Sequence, residues 1–100
     1  SEFGKALELD ADSPAGFLGM GEVHFLQKDY AAAIKQYTKC IKLDDELAQA
    51  YCNRGLSYYY RKNHKKSFLD LQKAYRIDPE IPNIKKYLQM VMKVLKKKDK

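Results

Sequence analysis

The segment Lys73-Ala74-Tyr75-Arg76-Ile77-Asp78 has two chemical echoes, Lys39-Cys40-Ile41-Lys42-Leu43-Asp44 and Lys5-Ala6-Leu7-Glu8-Leu9-Asp10, and each lies 34 residues from the next. A fixed period of that length marks an array in which one supersecondary unit stacks on copies of itself, because a single unit cannot bury its apolar face alone. Any fold proposed for this chain has to repeat at that step.

Residues 4–10 supply about two turns of apolar-periodic helix through Ala6, Leu7 and Leu9, too short to be stable in isolation. Ser1-Glu2-Phe3 resembles residues left by a cloning site, so residues 1–13 are read as such residues plus the remnant second helix of a truncated unit. Asp12-Ser13-Pro14 then predicts a break and a fresh start, with Ser13 as cap and Pro14 at the first helical position, where its missing N–H costs nothing. The new helix is expected to reach about Gln27, with Phe17, Met20, Gly21, His24 and Phe25 on one face. After Lys28-Asp29 a second helix is expected over residues 30–43, turning Ala33, Ile34, Tyr37, Cys40 and Ile41 inward, and Asp44-Asp45 closes it.

The design recurs from near Leu47. Tyr51, Arg54, Gly55 and Tyr58 mark a first helix, Arg61-Lys62-Asn63 a turn, and Ser67, Phe68, Leu71, Ala74 and Tyr75 the inner face of a second helix over residues 64–77. Asp78-Pro79 stops it, since proline cannot continue the ladder and forces its predecessor out of the helical region. The units are thus expected at 14–47 and 48–81. Residues 82–100 hold the rest of a last amphipathic helix, expected over about 81–98, with Ile84, Leu88, Val91 and Leu95 on one stripe and most of its lysines off it. It stands where an array needs a cap over the apolar face of its last unit.

A chain of 100 residues, 45% hydrophobic and 32% charged, has the composition of one soluble helical domain. No apolar run approaches the ~20 residues that would cross a bilayer, and nothing resembles a secretory signal. The net charge of +6 lies in the tail, where residues 85–100 carry seven lysines and one aspartate and leave the body neutral. Cys40 and Cys52 have neither the number nor the spacing of a disulfide framework or zinc site, so a reducing, cytoplasmic setting is expected. There is no metal-spaced cluster, glycine-rich phosphate loop or nucleophile with an evident base, and His24 and His64 fall at packing and turn-adjacent positions. The sequence therefore predicts no enzyme, no catalytic or metal site and no cofactor.

The pattern Phe17-x2-Met20-Gly21-x2-His24…Ala33-x3-Tyr37, followed by Tyr51-x2-Arg54-Gly55-x2-Tyr58…Ser67-x3-Leu71…Pro79, resembles the tetratricopeptide repeat (TPR). Gly21 and Gly55 suit close helix approach, and Ala33, Ser67, Cys40 and Ala74 are small where facing helices would cross. Three residues depart from the pattern: Arg54 stands for an aliphatic, His24 for a tyrosine and Asp45 for the proline. Arg54 is expected to lay its stem along the core and expose its head. The resemblance implies an all-α solenoid of antiparallel helix pairs wound as a right-handed superhelix.

It also implies a non-catalytic scaffold or adaptor that holds a peptide or partner helix in a concave groove lined by the first helix of each repeat. The groove candidates are Leu18, Glu22, Phe25 and Leu26, then Gln49, Cys52, Asn53, Leu56, Tyr59 and Tyr60. The carboxylate clamp by which some TPR proteins hold acidic chaperone tails is disfavoured. Its Lys and Asn slots here hold Leu18 and Glu22, then Asn53, then Asn83 and Tyr87, and neither neighbouring register restores it. One alternative is self-association of a structural segment within a larger protein, through the groove or the open N-terminal edge. A lesser one is nucleic acid or an anionic surface on the lysine-rich tail, with Tyr59, Tyr60 and Tyr87 as the tyrosines left over from packing.

Overall fold

The computed structural model describes residues 12–98, so the expectations for residues 1–11, including the earliest echo, and for Asp99 and Lys100 lie outside the described residues. Those residues form the helices α1 (Pro14–Leu26), α2 (Tyr30–Leu43), α3 (Ala48–Tyr60), α4 (His64–Ile77) and α5 (Ile84–Lys98). Both bounds of α3 and of α4 fall 34 residues after those of α1 and α2. The period of the sequence is thus the period of the backbone.

The starts of these helices follow from local chemistry. Ser13 Oγ accepts the Gly16 N–H at 3.1 Å ahead of Pro14, and Asp29 Oδ1 accepts the Ala32 N–H at 3.2 Å. Asn63, the counterpart of Asp29, accepts the Lys66 N–H at 3.4 Å. Each cap satisfies a donor that the first helical turn leaves without a partner.

The ends of α1 and α3 are alike. Lys28 and Lys62 adopt left-handed backbone with φ of 63° and 64°. The Asp29 N–H reaches His24 O and the Lys28 N–H reaches Phe25 O, and Asn63 and Lys62 repeat this on Tyr58 O and Tyr59 O, all at 2.9 Å. These paired bonds form a Schellman ending, which turns the chain back antiparallel in three residues. At the exits of α2 and α4, Asp44 Oδ1 accepts the Glu46 N–H at 3.1 Å and Asp78 Oδ1 the Glu80 N–H at 3.0 Å, so the recurring terminal aspartate builds the turn.

Each helix packs on the next in chain order, and α3 also touches α1 and α5. The core runs through Ala48, Tyr51, Cys52, Leu71, Ala74, Ile81, Ile84 and Val91. Gly21 lies against the Tyr37 ring, and Gly55 lies where a Cβ would stand 2.9 Å from Leu71 Cγ. At both glycines a side chain would hold the paired helices apart. The helix α5 starts at Ile84 rather than near residue 81, because Asn83 takes φ of 66° and ends the preceding turn. Ile81 is buried in the core as a loop residue instead.

Arg54 corrects an expectation. Its head is tied down and mostly covered: Nε and Nη2 donate to Asp70 Oδ2 and Oδ1 at 2.7 and 2.8 Å, and Nη1 donates to Thr38 Oγ1 at 3.3 Å. Burial opposes the guanidinium charge, but the bonds to Asp70 and its carboxylate outweigh that and hold the pKa above its ordinary value. The departure at Arg54 is therefore matched by Asp70, one helix later.

Candidate functional site

A pocket of about 310 Å³ opens between α1 and α3, with α2 behind it, lined by Glu22, Phe25, Leu26, Tyr37, Gln49, Asn53 and Leu56. That volume is at the small end for ligand sites and suits one or two side chains of a partner. It arises because Glu22, Phe25 and Leu26 occupy the last turns of α1, while Gln49, Asn53 and Leu56 recur at four and three residues along α3.

Its wall is apolar on one side and polar on the other. Phe25 and Leu56 are half-buried, and Leu26 is 81% exposed, the most exposed of the large hydrophobic side chains among the described residues. Opposite them, Gln49 Nε2 donates to Asn53 Oδ1 at 2.7 Å, and the Asn53 side chain hydrogen-bonds the Tyr37 hydroxyl. Burial first, and the Glu22 carboxylate second, push the Tyr37 hydroxyl pKa far above the usual phenol range. Tyr37 is therefore a neutral phenol here at any physiological pH.

Of the residues expected from the sequence, the structure brings Glu22, Phe25, Leu26, Gln49, Asn53 and Leu56 together around this pocket. Four others are elsewhere. Cys52 is 1% exposed and belongs to the core, because α3 is covered by neighbours on more sides than its own periodicity reveals. Burial pushes the Cys52 thiol up to about 11. Leu18 lies one turn before Glu22, half-buried, with its backbone hydrogen-bonded to Cys40, and is not in the lining. Tyr59 packs on the core and meets His64 edge to face at 5.2 Å between ring centroids.

Tyr60 is half exposed but occupied by other rings. It stacks on Tyr30 at 5.0 Å, with Phe25 edge-on to it at 5.9 Å and Tyr59 at 5.5 Å. The chain of rings joins the turn after α1 to the end of α3, so Tyr59 and Tyr60 fasten one helix pair to the next. Tyr87 is likewise partly buried against the core. The tyrosines that the nucleic-acid reading leaves free are thus engaged in packing, although Lys85, Lys86, Lys93, Lys96 and Lys97 are all exposed along α5.

The pocket residue that sequence reasoning assigned wholly to packing is Tyr37. Its ring does pack, against Gly21, and its hydroxyl faces the pocket. Asp70 was missed as the partner of Arg54, and no local signal marked it, since the two lie 16 residues apart. Among the described residues no three His, Cys, Asp or Glu side chains gather as metal ligands, Cys40 and Cys52 are free thiols, and no helix is long and apolar enough to cross a membrane.

Comparison with known proteins gives these features a frame. Residues 21–61 match a family model described as TPR repeat, and residues 48–81 match one described as Tetratricopeptide repeat. The chain is 36% identical over 72% of its length to the DnaJ protein P58IPK homolog of Arabidopsis thaliana, covering 15% of that protein. It is 31% identical over 89% of its length to peptidyl-prolyl cis-trans isomerase D of Kluyveromyces lactis, covering 25% of it. Over its whole length it is 26% identical to human sperm-associated antigen 1, covering 11%. The chain thus spans a quarter or less of each of these three relatives. The solved structure of the first TPR domain of human RPAP3 superposes with a TM-score of 0.85 at 18% identity, over 97% of this chain and 76% of that one. With the 34-residue step in sequence and backbone, the paired antiparallel helices and both family matches, the chain belongs to the tetratricopeptide repeat family, an all-α helical-repeat fold whose members mediate protein–protein interactions.

Proposed function

We propose that this chain is a non-catalytic interaction module that seats a peptide or partner helix in the cleft between α1 and α3. The observation that carries this reading is the exposure of Leu26 beside Phe25 and Leu56 in a concavity with polar groups on its far wall. An apolar anchor loses water there while its backbone meets the amides of Gln49 and Asn53. The test compares two charge insertions of equal chemistry. Leu26→Asp should abolish retention of partners captured by the wild type, whereas Leu69→Asp, at a 61% exposed site on α4, should keep them. Loss with Leu69→Asp and retention with Leu26→Asp would place the docking surface elsewhere.

A second reading, self-association through α1, has one observation in its favour. Met20 and Val23 are 37% and 54% exposed, while Arg54 and Ser57, 34 residues later, are covered. Equivalent faces of the two first helices are thus unequally buried. Light scattering across concentration separates the two readings: a monomer keeps the cleft for other proteins, and a dimer dissolved by Val23→Asp supports self-association.

A further inference from the structure

Glu22 is exposed on α1 at the edge of the pocket, and among the described residues it forms no ion pair. Glu22 and Tyr37 line the same pocket, and the carboxylate raises the Tyr37 hydroxyl pKa. Among the described residues no lysine, arginine or histidine lines that space. Gln49 uses one of its two amide N–H groups on Asn53 Oδ1, at 2.7 Å, and keeps its own carbonyl oxygen as an acceptor. The one full charge on the described lining is therefore the negative charge of Glu22, with the Gln49 carbonyl as a further acceptor and an apolar wall beside them.

On the reading that this cleft is the docking site, we infer that its partner presents a cationic side chain, lysine or arginine, next to an aliphatic anchor. Lysine and arginine carry only donors and a positive charge, which is what Glu22 and the Gln49 carbonyl accept. Their methylene stems lie along apolar surface while the charged end reaches outward, as Leu26, Phe25 and Leu56 on one side and Glu22 at the edge require. A partner ending in carboxylates meets the opposite: no cation to pair with, and repulsion from Glu22. The lysines of α5, which touches α3, raise the positive potential of the whole molecule, so the local preference is read at physiological ionic strength, where charges more than about 8 Å away are screened.

The test uses two blocked heptapeptides as probes, one alternating leucine with lysine and the other carrying glutamate in place of each lysine, titrated by fluorescence anisotropy at physiological ionic strength. The lysine peptide is expected to bind about tenfold more tightly than the glutamate peptide. Glu22→Gln should remove most of that preference and leave the thermal melt unchanged, because Glu22 holds no structural partner. Leu26→Asp should not serve as the charge control, since it adds a carboxylate, so Leu26→Ala is used and should weaken both peptides alike. Equal binding of the two peptides, preference for glutamate, or a preference that survives Glu22→Gln would overturn the inference. If in any of these cases Leu26→Ala still weakens binding, the docking site stands without its charge selectivity. Absence of binding by either peptide at millimolar concentration would overturn the charge inference and the docking reading together.

Discussion

Gly19 and Gly21 stand two positions apart on α1 and respond to the same substitution in opposite ways. A Cβ at Gly19 meets no heavy atom within 4 Å, so Gly19→Ala should stabilise by about 0.5–1 kcal/mol through helix propensity alone. A Cβ at Gly21 runs into the Tyr37 ring, so Gly21→Ala should cost about 1–3 kcal/mol and disturb the pocket's inner wall. Urea unfolding of the two variants checks both signs, and similar effects at the two sites would contradict the packing described. Arg54 and Asp70 give a second pair of outcomes, with side chains 18% and 9% exposed. Asp70→Ala strands a covered cation and should cost about 2–4 kcal/mol, while the double change Arg54→Leu with Asp70→Leu should recover most of it. Non-recovery in denaturant titrations would mean that the pair does more than neutralise itself. Cys52 contributes to the pH response, as do the raised hydroxyls of Tyr37 and Tyr51. The unfolded thiol ionises near 9.0 and the native one near 11, so the native state binds more protons between those values. Stability is then complete below about pH 9 and falls by about 2 kcal/mol as pH rises through 11. Thermal melts from pH 8 to 11 should show this decline, less steep in Cys52→Ala.

At the scale of the element, the turns after α1 and α3 carry a cost that their sequence conceals. Lys28 and Lys62 hold φ of 63° and 64° where glycine is the usual residue. Lys28→Gly and Lys62→Gly should each stabilise by about 0.5–1 kcal/mol, the relief of left-handed strain less the added freedom of glycine in the unfolded chain. Differential scanning calorimetry would read this as a rise in melting temperature, and a fall would mean that the lysine stems contribute contacts that outweigh the strain. Helix identity was legible in the sequence because Ala33, Tyr37, Cys40 and their counterparts Ser67, Leu71 and Ala74 recur at helical spacing and bury where that spacing predicts. The start of α5 was not, because the left-handed turn at Asn83 leaves the apolar periodicity of Ile81 and Ile84 undisturbed. Periodicity records which side chains are buried, and Ile81 is buried without being helical.

At the scale of the molecule, the same contrast separates the fold from the site. The 34-residue step dictates helix pairs and their stacking, and it returns in small details, such as Lys39 over the Phe17 ring at 5.6 Å and Lys73 over the Tyr51 ring at 5.9 Å. The candidate site was legible in six of its lining residues, Glu22, Phe25, Leu26, Gln49, Asn53 and Leu56, because a first helix that faces the next leaves a definite stripe unpacked. It was blurred at Cys52, Tyr59 and Tyr60, whose surroundings come from several helices at once and cannot be read from one helix. The two repeats differ in chemistry within the pocket: Glu22 stands where the next repeat has Leu56, and Asn53 where the preceding one has Gly19. The most direct test of the docking cleft is two-dimensional amide NMR of the labelled chain titrated with a captured partner or with the lysine peptide. The account predicts shifts confined to Glu22, Phe25, Leu26, Gln49, Asn53 and Leu56 and their immediate neighbours. Shifts concentrated instead on α4 or along the lysines of α5, with these residues unmoved, would contradict it.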